Sequence, residues 1–375
     1  MQSTVKEPYQ LVRKESLPPI WSMSTATRLA KQFARLTKER DALGYSVVVL
    51  LREDVVFDTP VLRGLMAGQN RAVVDEASGQ PLGVCVESTL AEAAQAWLSG
   101  AGEKPDGLQT HTPNEIAGAY NLDLRKRELA ACHILDSDNA RMVEWKLFMT
   151  AYKGVTDFVT KYWWPRPAFH VTRWCAKKGI TPNQVTGVSA LCVLLCLWLF
   201  ASGFFWAGMA FAWVMTFLDT VDGKLARVTL TSSPLGNIFD HGIDLVHPPF
   251  WYYAWGLGLA ASATPLPEGW FAPLMWLMFG GYIAGRLCEG YFMHRYGMHM
   301  YVWRRFDSRF RLFIARRNPN MVMMQLSLVV GRPDWGLYAI VGWTVLSFVI
   351  QCVQVAQAEA VRTSGGKITS WLDAA

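Results

Sequence analysis

Asp219, Asp222, Asp240 and Asp244 are the residues of this chain best placed to do chemistry, because they lie in stretches otherwise apolar enough to enter a membrane. An ionised side chain at the centre of a bilayer costs about 2.5–3.5 kcal/mol on insertion scales, so four of them need compensation. Spacings of three and four put Asp219, Asp222 and Ala226 on one helical face, and Gly236, Asp240 and Asp244 on another. If the two helices pack antiparallel across the short 228–235 link, the carboxylates converge at one end. Oxygen donors without a nearby Cys suit a hard divalent ion, Mg²⁺ or Mn²⁺, with Ca²⁺ as a further choice. The same acids also fit an ion or proton pathway, and the small residues around them fit tight helix packing. Gly223, Ala226 and Gly236 leave room for a ligand near the backbone, and Arg227 offers a fork that matches phosphate oxygens, which favours a phosphate ligand.

The elements that must hold these acids follow from how apolar residues are distributed. Hydrophobic residues make up 51% of the 375, yet charged ones still reach 18%, so the two are segregated along the chain. Up to about Trp174 the text reads like a soluble protein, and from Val185 onward long apolar runs alternate with short polar breaks. This pattern predicts six spans, near 184–203, 205–228, 235–258, 269–293, 319–331 and 335–359. The fifth is short and needs Arg316, Arg317 or Arg332 to snorkel at its ends. Residues 294–317 carry seven Arg against Asp307 alone, whereas the connections near Ser202, Pro265 and Pro333 carry almost no charge. Positive-inside bias therefore puts the Arg-rich loop, both termini and the converging acids in the cytoplasm.

The expected fold is a membrane all-α domain of six transmembrane helices over 183–362, preceded by a small cytoplasmic α/β domain over 1–145. Residues 146–182 form an interfacial junction, and 363–375 a cytoplasmic tail. In the front domain, Ser46–Leu51, Ala72–Val74 and Gly83–Val86 read as strands, and Ser24–Leu36 as a helix capped by Ser24 or Thr25. The junction interleaves Trp163, Trp164, Phe169 and Trp174 with Lys161, Arg166, Arg173 and Lys177, a composition suited to the headgroup layer. The net charge of +6 is spread between apolar runs instead of over one soluble face, which argues against nucleic acid and for membrane orientation and anionic ligands. Seven scattered cysteines without a CxxC pair fit a reducing compartment, and residues 1–16 lack the apolar core of a secretory signal.

Residues 219–244, DTVDGKLARVTLTSSPLGNIFDHGID, fit the pattern DxxDGxxARx(8)GxxxDxxxD at all eight fixed positions. In this the chain resembles the CDP-alcohol phosphotransferase (CDP-alcohol phosphatidyltransferase) family, and ITPNQVT (Ile180–Thr186) resembles that family's entry to its first membrane helix. The resemblance in organisation extends over roughly 150–360. It implies a six-helix, usually homodimeric membrane domain, with its site open to the cytoplasm, in the cytoplasmic membrane if the source is bacterial. It also implies that Asp219, Asp222 and Asp240 ligate Mg²⁺ or Mn²⁺. Asp244 would be the general base, with some metal contact, and Gly223, Ala226, Arg227 and Gly236 would hold the CDP part. The implied partners are a CDP-linked donor (CDP-diacylglycerol or another CDP-alcohol), an alcohol acceptor and membrane lipid, with CMP released in phospholipid or related lipid biosynthesis.

Some members of that family carry a fused cytidylyltransferase, notably the bifunctional inositol-phosphate cytidylyltransferase/di-inositol-phosphate phosphate synthase enzymes. Lys153–Tyr162 (KGVTDFVTKY) is similar to their junction, and Val47–Leu65 faintly resembles a nucleotidyltransferase metal strand, with Asp54 at the place of interest. A Gly-rich phosphate loop is absent from residues 1–45, so the front domain is expected to be a degenerate, non-catalytic relative, with Asp54 a strand-end residue. Two alternatives stand beside the lipid-pathway transferase: a di-inositol-phosphate-type synthase using a soluble CDP-polyol, and an ion-coupled transporter or silent scaffold. No internal duplication of the kind common in transporters is visible, and the intact motif speaks against silence. Arg286 and Glu289, in the fourth span, are expected to pair with each other, with acceptor contact as the other reading. Arg316 and Arg317 read as anion ligands or as topology determinants, and His241 and His247 as structural.

Overall fold

The computed structural model describes residues 9–12, 17–36, 41, 47–117, 120–121, 124–127, 129–232 and 234–373, with the side chains of 120, 121, 234, 235 and 237–241 outside that description. The chain divides into two compact units. The first holds residues 1–121, 127–150 and 228–230, and the second holds 122–126, 151–227 and 231–375.

In the first unit, Ser24 caps helix α1 (Thr25–Phe33) by accepting the Thr27 N–H at 3.1 Å. The three expected strands form, as β2 (Val47–Arg52), β4 (Arg71–Val74) and β5 (Pro81–Glu87). With β1 (Gln10–Val12) and β6 (Gln109–His111) they make one mixed sheet in the order β1-β2-β5-β4-β6. β2 and β4 run antiparallel to β5, while β1 and β6 run parallel to their neighbours. Alternation along β2 sends Val49 and Leu51 into one core with Leu29, Phe33 and Phe57, and Leu50 into another with Val84 and Leu98. The strand β3 (Val55–Phe57) pairs apart from this sheet with β7 (Cys132–Ile134). Helices α2 (Thr59–Met66), α3 (Ala91–Ser99), α4 (Pro113–Ala117) and α5 (Ala140–Thr150) also belong to this unit, and the Glu144 carboxylate of α5 accepts the Trp21 N–H at 3.0 Å.

The second unit is helical, running through α6 (Pro165–Lys178), α7 (Pro182–Ala201), α8 (Phe205–Val228), α9 (Pro234–Leu259), α10 (Phe271–Tyr296), α11 (Arg305–Phe310), α12 (Arg317–Val329) and α13 (Pro333–Thr363). In α6, Ala168, Phe169, Thr172 and Cys175 are buried while Trp174 is exposed, which makes it an amphipathic helix. It ends on Gly179 at φ 68°, and Thr181 then opens α7 through a capping box with Gln184, at 2.8 and 3.3 Å. α7 packs on α9, and α13 packs on both α10 and α12. Phe200, Trp251, Trp255 and Met278 lie at the centre of the core. At Gly258 the α7 and α9 backbones approach so closely that an added Cβ would lie 2.0 Å from the Phe200 carbonyl oxygen.

Three helices among the described residues, α7, α10 and α13, are long and apolar enough to cross a membrane. Their outward faces carry Leu191, Leu194 and Trp198 on α7, Trp276 and Leu287 on α10, and Leu346 and Val349 on α13, all exposed, as lipid-facing residues should be. The remaining expected spans are α8 and α9, which bear the motif's charges, and the run near 319–331. That run is the 13-residue helix α12, about 20 Å long against a hydrocarbon core of about 30 Å, so it falls short of a full span. All seven cysteines are free thiols.

Candidate active site

Asp219 and Asp222 lie one turn apart on α8, and Asp244 lies on α9. Arg317, the first residue of α12, joins two of them. One arm of its guanidinium donates to Asp219 Oδ2 at 2.5 Å and the other to Asp244 Oδ1. Carboxylates from two helices are thus turned onto one positive centre supplied by a third. Asp222 sits beside them, 3% exposed, with the Thr186 hydroxyl from α7 donating to its Oδ2 at 2.6 Å. Exposure rises in the order Asp222, Asp219, Asp244; the side chains of the last two are 16% and 38% accessible. Asp240 lies in α9, and its side chain is outside the described residues, as is that of His241.

The small motif residues have separate consequences. A Cβ on Gly223 would approach Arg227 Nη2 to 3.2 Å, so glycine leaves this guanidinium its position. The Ala226 carbonyl accepts from Thr231 N at 2.9 Å and Ser232 Oγ at 3.2 Å, which closes the C-terminal end of α8. Gly236 falls in the first turn of α9. No group of three or more His, Cys, Asp or Glu side chains is gathered for a metal among the described residues. The donor chemistry nevertheless fits a hard ion: Asp219, Asp222 and Asp244 offer oxygen alone, and two of them already share one cationic neighbour.

A second polar network lies on α10. Arg286 pairs with Glu289 at 3.3 Å, as expected, but the same carboxylate also accepts from Arg316, from the Tyr301 hydroxyl at 2.6 Å and from Gln351 at 3.1 Å. His247 Nδ1 lies 2.6 Å from the Ile243 carbonyl and its ring packs on Trp251, a structural role. In the first unit Asp54 is 1% exposed and held bidentately by Arg52 at 2.9 and 2.7 Å. The sequence reading missed Thr186 as an aspartate partner and left the part of Arg317 open. Only the seat of Thr186 in the first turns of a capped helix hinted at its role.

A family model for CDP-alcohol phosphatidyltransferase matches residues 179–303, which takes in α7 through α10 and all eight motif positions. The chain is 29% identical over 162 residues to the bifunctional IPC transferase and DIPP synthase of Rubrobacter xylanophilus, covering 43% of this chain and 34% of that protein. It is 46% identical over 54 residues to human cholinephosphotransferase 1, covering 14% and 13% of the two chains. The chicken cholinephosphotransferase 1 matches at 47% over 49 residues, covering 12% and 15%. The matches thus span about a third or less of the relatives' own lengths. Motif, helix placement and family match coincide on the same residues, so residues 179–303 form the stretch of this chain that matches the CDP-alcohol phosphatidyltransferase family.

Proposed function

We propose that this chain transfers a substituted phosphate from a CDP-linked donor to an acceptor alcohol with release of CMP, in phospholipid or related lipid biosynthesis. The observation that carries the reading is the turning of Asp219 and Asp244 from two helices onto one cation inside the matched domain. Asp219, Asp222 and Asp240 would hold Mg²⁺ or Mn²⁺, and Asp244 would reach the same ion. When bound, such an ion neutralises the donor diphosphate and the departing CMP. Gly223, Ala226 and Gly236 let the nucleotide approach the backbone, and Arg227 binds its phosphate oxygens. Asp244, the most exposed of the three described aspartates, takes the acceptor's proton as that oxygen bonds to phosphorus and the bond to CMP breaks.

The site is read as cytoplasmic, in a homodimer of six-span subunits with both termini on the same side; α8 and α9 complete each bundle together with α12, which is too short to cross unless the arginines at its ends snorkel. Similarity to a bifunctional IPC transferase and DIPP synthase supports a second reading, in which the donor is a soluble CDP-polyol. The deciding experiment incubates the purified chain with Mg²⁺ or Mn²⁺, a panel of CDP-alcohols and candidate acceptors, and follows CMP release together with product mass. CDP-diacylglycerol turnover supports the first reading and CDP-polyol turnover the second. No CMP from any pair overturns both.

A further inference from the structure

The junction stretch Lys153–Tyr162 has no task in the site described so far, yet two of its residues, Asp157 and Thr160, meet the start of α12 within the second unit. The Asp157 carboxylate is buried, and its Oδ1 accepts the Thr160 N–H at 3.0 Å at the entry to a short turn of π-helix over Val159–Trp163. That turn is fixed on two sides. The Phe158 N–H donates to the Leu312 carbonyl at 3.0 Å, and the Phe158 ring stacks on Phe313 with centroids 6.0 Å apart. Trp164, just past the turn, lies edge-on to Trp213 and Phe217 of α8 at 6.0 and 5.2 Å. Asp157 is therefore anchored both to the helix that carries Asp219 and to the loop that leads into α12.

Asn318, the second residue of α12, is 4% exposed and meets this anchor. Its Nδ2 donates to Asp157 Oδ1 at 3.0 Å and to Thr160 Oγ1 at 3.1 Å, which uses both amide hydrogens. Its Oδ1 accepts from Arg317 Nε at 3.4 Å. That bond is long, but it falls on the guanidinium nitrogen that the acids leave over, since Nη2 is on Asp219 and Nη1 on Asp244. Arg317 can only donate and the Asp157 carboxylate can only accept, so a side chain set between them has to accept on one side and donate on the other. An amide does both. A carboxylate at 318 could not donate to Asp157, and an aliphatic side chain could do neither. Held at Nε as well as at both Nη atoms, the guanidinium keeps one plane, and with it the two carboxylates that it gathers.

We propose that Asn318 and Asp157 are positioning residues of the aspartate site: Asp157 fixes the Asn318 amide, and Asn318 fixes the Arg317 guanidinium that bridges Asp219 and Asp244. The junction stretch thereby acts on the site through a relay of hydrogen bonds and touches no reacting atom. The effect on turnover rests on the transferase reading, whereas the hold on Arg317 is a property of the ligand-free chain and is measured without donor or metal.

The test uses the full chain in nanodiscs. In the first arm, with chelator and no donor, phenylglyoxal labels arginine side chains and peptide mass spectrometry follows Arg317. Asn318→Leu and Asn318→Asp are expected to speed its labelling about three- to tenfold, the factor by which one lost hydrogen bond shifts a held side chain towards a free one. The exchanged pair Asp157→Asn with Asn318→Asp restores a donor facing an acceptor, and should return the rate to that of the wild type. The second arm measures CMP release with Mn²⁺. Asn318→Leu should lower kcat about tenfold with the donor KM held, as expected when a group that orients others is lost. In an Arg317→Gln background the same substitution should cost less than about twofold more, because a residue that acts through Arg317 has nothing left to act on. Should Asn318→Leu fail to fold, Asn318→Asp set against the exchanged pair carries the same decision. Unchanged Arg317 labelling, an exchanged pair no better than Asn318→Asp alone, or an undiminished loss of turnover in the Arg317→Gln background overturns the relay, even where CMP release succeeds and the transferase reading survives. Faster labelling reversed by the exchange, with no CMP released from any donor and acceptor, leaves the relay standing and removes the transferase reading.

Discussion

Both units contain an aspartate held by an arginine, Asp54 by Arg52 and Asp219 by Arg317, and the two pairs differ in how far apart their members lie in the chain. In the first unit Arg52 and Asp54 are two residues apart at the end of β2, and Arg52 also donates to the Pro81 carbonyl at 3.2 Å. That pair closes a strand end. In the second unit Arg317 reaches back 98 residues to Asp219 and 73 to Asp244. It gathers acids from separate helices, one of which remains 38% accessible. A local pair that shuts water out serves stability, whereas a long-range bridge with an open member keeps charge at a place a ligand can reach.

The most severe way to break this contrast is to remove divalent metal. Excess chelator is expected to abolish CMP release while leaving the first unit folded, as followed by hydrogen exchange of its sheet; full activity in chelator would end the metal reading. Next in size is Asp244→Asn, expected to lower turnover by roughly 10²–10⁴-fold, the scale of general-base loss, with donor affinity kept. Asp222→Asn should weaken donor binding as well. Calorimetric donor affinity set beside the CMP rate separates them, and loss of donor binding in Asp244→Asn would make Asp244 a metal ligand instead of the base.

Arg317→Gln should fall in between, lowering turnover about 10–100-fold by releasing two carboxylates from their common partner, the scale seen when a group that orients ligands is lost. Unchanged turnover would mean that the bridge is incidental. Asp54→Asn is the counterpart in the first unit. It should cost about 1–3 kcal/mol of that unit's stability through the unmet donors of Arg52, with no change in CMP release below the unfolding temperature. A specific loss of activity there would give the front unit a catalytic part.

The smallest effect expected is a pH dependence confined to the first unit. Burial, with the nearby Lys146, lowers His133 to about 4, so the folded unit keeps it neutral where the unfolded chain binds a proton near 6.5. The unfolded state therefore binds more protons between these values, and stability falls as pH drops from about 6.5 to about 4. His133→Gln should flatten that limb in denaturant titrations; an unaltered slope would assign it to other groups.

What the sequence determined by itself is local. The Ser24 cap, the strands at 47–52, 71–74 and 81–87, the capped entry at Thr181 and the helical spacing of the aspartates all depend on neighbours three or four residues apart or on period-two alternation. The matched motif likewise lies in one continuous stretch, so the family could be read from it. The Arg286–Glu289 pair was legible for the same reason, one turn apart on one helix. The other donors to Glu289 (Tyr301, Arg316 and Gln351) were not, since they come from other elements. Tertiary structure alone chose Arg317 over the other arginines of 294–317 as the bridge and brought Thr186 to Asp222. The physical reason is that the periodicity of a helix tells which residues share a face but not which other helix meets that face. That choice is made by packing, here the close passage of α7 on α9 at Gly258 and the seating of α12 on α13.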